Sequence, residues 1–148
     1  MNWHYSTFDD LSSKQLYDIL KLRQDIFIIE QDCIYPDMDG SDVIAHHLMG
    51  YEDDKLVAYL RVFEAGIKFD EASIGRIVIP FDKRGTGLGE ELVREGIKLV
   101  EKNGSTSIRI EAQAHLDKFY ARLGFVAEGD VYVVDGIDHF QMLRASGQ

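Results

Sequence analysis

The sequence predicts a single-domain mixed α/β fold built on a mostly antiparallel sheet, and three observations carry that prediction. Short polar turns separate β-rich runs, so neighbouring strands can fold back on one another. Two stretches repeat their apolar residues at helical spacing, and a third reads as a short helix. The length, 148 residues, fits one hydrophobic core over 1–148 and leaves little room for a second.

Taken in order, Ser12-Ser13-Lys14-Gln15 has the spacing of a capping box, and Leu16, Ile19, Leu20, Arg23, Ile26 and Phe27 then follow a helical repeat. This predicts a first helix of about twelve to eighteen residues. Segments 46–51 and 55–64 read as strands joined by the polar turn Glu52-Asp53-Asp54, an antiparallel hairpin. A third β-rich run, 72–79, is stopped by Pro80, which cannot donate to a ladder. The glycine cluster Arg84-Gly85-Thr86-Gly87-Leu88-Gly89 follows, then a helical repeat from Leu92 to Val100 that ends at Asn103-Gly104. Residues 107–112 predict a strand, 115–123 a short helix stopped by Gly124, and Phe125 onward two strands turning at Asp135-Gly136.

Composition excludes several classes of protein. With 45% apolar and 28% charged residues the chain can bury a core in water, and no apolar run approaches the length of a membrane-spanning helix. The N-terminal residues lack the basic and apolar segments of a secretory signal, so a cytoplasmic location is expected. A net charge of −10 opposes attraction to nucleic acid. One cysteine, Cys33, rules out an internal disulfide or a multi-cysteine zinc site, and a small buried apolar role is expected for it. No metal is expected: placing Gly40 at the sixth position of a calcium loop puts Tyr35 and His46 where carboxylates are required.

Charge is unevenly placed. Residues 1–50 hold nine acids and three bases, and the segment from Glu30 to Asp42 holds five acids and no base, which should favour cations. Lys83, Arg84, Lys118 and Arg122 could gather where an anion docks. The glycines at 85, 87 and 89, placed after a strand and before a helix, leave main-chain N–H groups open at a positive helix end and suit a phosphate or diphosphate. The cluster matches neither the phosphate loop ending in Gly-Lys-Ser/Thr nor the dinucleotide fingerprint, which needs another spacing.

Arg84-x-x-Gly87-x-Gly89 resembles the acyl-CoA diphosphate loop of the GNAT N-acetyltransferase superfamily, and Phe119-Tyr120-Ala121-Arg122-Leu123-Gly124-Phe125 resembles that superfamily's later helix and turn. More narrowly, Glu30-Gln31-x-Cys33-x-Tyr35-x-Asp37-x-Asp39-Gly40-x-Asp42, Gly75-Arg76, Ala112-Gln113-Ala114-His115-Leu116 and Asp135-Gly136-Ile137-x-His139 resemble the ElaA-like branch, over nearly the whole chain. Pro80-Phe81 departs from the pattern at the strand-to-loop junction, where many members carry a residue followed by proline.

The resemblance implies acetyl-CoA as co-substrate and direct transfer of its acetyl group to a primary amine, of a small molecule or a peptide, without a covalent enzyme intermediate. It implies that Ile77, Val78 and Ile79 hold the pantetheine and acyl carbonyl through their backbone. The N–H groups of Gly85, Thr86, Gly87, Leu88, Gly89 and Glu90 would hold the diphosphate with Arg84, Gln113 would contact the pantetheine arm, and Tyr120 would be the general acid.

For the general base, His47 is a candidate because imidazole titrates near neutrality, with His46 facing the other way; Glu111 could instead relay a proton through water. Glu30, Asp39 and Asp42 could bind a substrate ammonium or cap turns, and His139 could line the substrate pocket or flank a turn. Arg76 could be a buried partner for one of those acids. A non-catalytic acyl-CoA sensor on the same fold is the competing function, and an exposed edge strand would allow a homodimer.

Overall fold

A computed structural model describes residues 1–145 of the chain. Two antiparallel sheets run in the orders β1-β2-β3-β4 and β5-β7-β6. The first comprises β1 (Asn2–Thr7), β2 (His46–Glu52), β3 (Lys55–Phe63) and β4 (Ser73–Val78). The second comprises β5 (Ile108–Gln113), β6 (Val126–Val134) and β7 (Ile137–Arg144). They meet through a parallel bridge, Ala72 to Ile108, where the Arg109 N–H donates to the Ala72 carbonyl at 2.9 Å. Beyond that bridge no ladder joins β4 to β5 among the described residues, so the two strands part and leave a cleft between the sheets.

Helices cover both faces of the first sheet. α1 (Ser13–Arg23) starts at the predicted capping box: the Gln15 N–H donates to Ser12 Oγ at 3.0 Å and the Ser12 N–H to Gln15 Oε1 at 2.9 Å. The chain then continues as a π-helix over Gln24–Glu30, a rare local winding that is frequent at functional sites. Ile19, Leu22 and Ile26 pack against Met49, Leu56, Tyr59 and Val78. α2 (Leu88–Lys102) buries Leu92, Val93, Ile97 and Val100 in the larger core with Leu60, Val62 and Ile74. Gly96 permits that approach, because a Cβ there would lie 2.9 Å from Leu60 Cδ2. A short α3 (Asp117–Ala121) closes the second sheet. No helix among the described residues is long and apolar enough to cross a membrane.

Two features depart from the sequence reading. β1 was not predicted: it is an edge strand whose side chains are mostly exposed, held by backbone pairing to β2 and by Trp3 packing over Gly50. The acidic segment is not an open cation-attracting loop. It folds around three arginines: Arg23, fully buried, binds Asp37 and Asp42; Arg61 binds Asp39 and Asp42; and Arg76 sits 2.8 Å from Asp37 Oδ1. Asp39 and Asp42 are therefore corrected from ammonium ligands to members of an internal charge network, and Arg76, expected as a buried partner of Glu30, Asp39 or Asp42, is part-exposed and lies nearest Asp37, with Asp39 at 3.5 Å.

Candidate active site

The cleft between the sheets has a volume of about 970 Å³. One wall comes from β4, where the register to β3 slips by one residue: Tyr59 pairs with Val78, but Arg61 pairs with Gly75. Arg76 and Ile77 thus stand opposite Leu60 alone, and Arg76 takes a positive φ of 51°. A bulge of this kind interrupts the ladder and leaves main-chain groups for another partner. Ile77, Val78 and Ile79 all line the cleft there.

The glycine loop forms its end. Gly85 and Gly87 have φ of 76° and 86° and open space where a Cβ would be, so it is the left-handed backbone that requires glycine. Gly87 is the N-cap of α2 and supplies no side-chain cap. Carboxylates of the first turn are tied elsewhere, Glu90 to Arg94 at 2.8 Å and Glu91 to the Trp3 indole N–H at 3.3 Å. An anion would therefore meet a positive helix end with free glycine backbone around it. Arg84, Gly85, Gly87, Gly89 and Glu90 line the cleft. Thr86 and Leu88 do not: the Thr86 hydroxyl donates to the Lys83 carbonyl at 2.6 Å and accepts from the Leu88 N–H at 3.4 Å, and the Leu88 side chain is in the core. Lys83 is spent on Glu52 at 2.7 Å, so of the four bases expected to gather, Arg84 and Arg122 reach the cleft.

Tyr120 also lines the cleft, only 6% exposed, with edge-to-face rings on both sides, Phe119 at 5.1 Å and Phe125 at 5.9 Å. Burial pushes its phenol up to about 12. No group among the described residues hydrogen-bonds its hydroxyl, so the proton has no acceptor among them.

Glu30, Glu111, Gln113 and His139 line the cleft as well. The π-helix carries Glu30 to within 2.6 Å of Arg84 Nη2. Glu111 accepts from the Tyr132 hydroxyl at 2.9 Å and sits 3.4 Å from Lys68 Nζ. Gln113 and His139 face each other across the β5–β7 ladder. His139 Nδ1 lies 2.7 Å from the Ile137 carbonyl, which can only accept. Nδ1 therefore carries a proton, and Nε2 is the ring nitrogen with no hydrogen-bond partner among the described residues.

His47 is not in this cleft. It is fully buried among core groups, with Nδ1 2.6 Å from the Tyr59 hydroxyl and Nε2 2.8 Å from the Asp42 carbonyl. Burial holds its pKa below the ordinary value, and with both nitrogens engaged it has no route to a substrate. The expected alternation was right, but the strand turns His47 into the charge network and His46 outward, 3.9 Å from Glu64. Cys33 is likewise corrected: it is part-exposed on the cleft wall, its thiol 3.4 Å from the Asp135 carbonyl. The sequence reading missed Phe27, Tyr35 and Phe119 as wall residues; Phe27, read there as part of a helical repeat, lies in the π-helix.

A profile of the acetyltransferase (GNAT) domain family matches residues 16–145. The chain belongs to the GNAT family. It is 39% identical to a UPF0039 protein of Synechocystis sp. over 145 residues, 97% of this chain and 94% of that one. It is 34% identical to protein ElaA of Escherichia coli, covering 97% of this chain and 96% of that one, and the crystal structure of E. coli ElaA matches with a TM-score of 0.89. The crystal structure of an acyl-CoA N-acyltransferase from Pseudomonas aeruginosa matches with a TM-score of 0.92 at 38% identity, over 97% of this chain and 99% of that one. The parted β4 and β5, the bulge and the glycine loop of this GNAT chain are thus set in an architecture shared across nearly its full length.

Proposed function

We propose that this GNAT chain transfers an acetyl group from acetyl-CoA to a primary amine by direct attack. Acetyl-CoA would supply an acyl group activated as a thioester. The residues present fit it: the glycine-bounded end of α2 with Gly85 and Gly87 suits the diphosphate, Arg84 adds charge, and the backbone of Ile77 to Ile79, which starts at the bulge, lines the cleft where the pantetheine and acyl carbonyl would lie.

The observation that carries the reading is Tyr120, a protonated phenol in an apolar niche of the same cleft with no acceptor among the described residues. As the nitrogen–carbon bond forms and the carbon–sulfur bond breaks, the departing sulfur takes the Tyr120 proton, and the phenol regains one from solvent after turnover; burial disfavours the phenolate as well as a bare thiolate, so the phenol stays protonated until the bond breaks. His139 is the base in this reading, in place of His47: the Ile137 carbonyl fixes the Nδ1–H tautomer and leaves Nε2 to remove the proton from the amine.

The experiment is acetyl-CoA-dependent thermal shift followed by a thiol-release screen over polyamines, amino acids and peptides. Stabilisation by acetyl-CoA and amine-dependent release of free thiol are expected. No stabilisation at saturating acetyl-CoA overturns the proposal, and cofactor binding without release by any amine points to an acyl-CoA sensor.

A further inference from the structure

Glu30 and Arg84 join two separate elements of the cleft, the end of the π-helix and the glycine loop, through a 2.6 Å ion pair. Other cations of the wall are held differently. Arg76 is shared by Asp37 and Asp39 beside the buried network, and Lys68 sits 3.4 Å from Glu111. The Glu30–Arg84 pair is half-exposed, at 31% and 40%, and Glu30 has no second partner among the described residues. Among the described residues Arg84 is otherwise steadied by the Phe81 ring, 5.3 Å from its guanidinium carbon. Such a pair is weak enough to open. It also lies where a diphosphate at the glycine loop would bring negative charge against the Glu30 carboxylate.

Resting on the acyl-CoA reading above, we propose that Glu30 is an internal competitor of the diphosphate for Arg84. In the free protein the carboxylate holds the guanidinium; donor loading transfers the guanidinium to the phosphates and frees the carboxylate on the cleft wall. The charge that attracts the ammonium form of an acceptor is then exposed only once the acyl donor is in place. Linkage makes the effect reciprocal, since a cation that captures Glu30 releases Arg84 for the donor.

The test is calorimetric titration of coenzyme A into the wild-type chain, Glu30→Gln, Arg84→Gln and the double variant, with Glu30→Ala as a second way of removing the carboxylate. Glu30→Gln and Glu30→Ala should each bind coenzyme A about two- to five-fold more tightly, the effect of removing a half-exposed pair. Arg84→Gln should bind more weakly, and in that background Glu30→Gln should give no gain. Unchanged or weakened binding by Glu30→Gln overturns the proposal, and so does an equal gain in both backgrounds, which would be simple charge repulsion. A wild-type chain that does not bind coenzyme A overturns the acyl-CoA reading itself, and this proposal with it.

Discussion

The acidic segment and the glycine loop were the two most strongly marked regions of the sequence, and they end in opposite physical states. In the first, Asp37, Asp39 and Asp42 meet Arg23, Arg61 and Arg76, and the charges close on one another inside the fold. In the second, Gly87 at the N-cap supplies no side chain, and the Thr86 hydroxyl reaches just one N–H of the first turn, that of Leu88, beside a cleft. The difference teaches that a cluster of charge is not yet a site. Unspent hydrogen-bonding capacity facing open space is what invites a ligand.

The comparison breaks most readily at its buried half. Arg23→Met leaves Asp37 and Asp42 without their main partner and should cost about 3–5 kcal/mol, read as a lowered urea midpoint. If stability hardly changes, the network is not what folds the segment. On the open side, Tyr120→Phe should lower acetyl transfer by about a hundredfold or more while acetyl-CoA affinity stays within a factor of two, measured by thiol release and calorimetry. Gly87→Ala, forced to a φ of 86°, should cost about 1–2 kcal/mol and weaken coenzyme A binding, seen in paired melting and titration curves.

The smallest effect expected is the pH dependence of the buried half. Burial lowers the pKa of His47, so the folded state binds fewer protons there than the unfolded state. Its contribution is complete above the ordinary value of 6.5 and is lost progressively as the pH falls below it. The Arg61 hydrogen bond holds Asp39 well below its ordinary range. Burial opposes the Asp42 charge, but Arg23 and Arg61 outweigh it and hold that carboxyl low as well. Their contribution is present above the ordinary 3.8 and is lost as the pH falls through their lower folded values. Urea midpoints between pH 8 and 5 should therefore decline in the wild type and flatten in His47→Gln. A decline identical in both would remove His47 from the account.

How much of this was legible follows from the range of the interactions involved. The hairpin, the capping box and the glycine loop depend on residues a few positions apart, and the sequence reading of each matches the structure. β1 was not legible because an edge strand held by backbone pairing needs no apolar pattern. The fate of Asp39 and Asp42 was hidden because Arg61 lies 22 and 19 positions away along the chain. His47 was misjudged for a related reason: alternation separates it from His46, but only the packed sheet decides which face holds Tyr59 and which meets solvent. The proposal of His139 as the base needed one distance, from Nδ1 to the Ile137 carbonyl, that no spacing encodes.

The most direct test is diffraction from crystals grown with coenzyme A. The account predicts diphosphate oxygens within hydrogen-bonding distance of N–H groups between Gly85 and Glu90, and the thiol sulfur beside the Tyr120 hydroxyl. Coenzyme A bound outside the cleft, or with its sulfur remote from Tyr120, would contradict it.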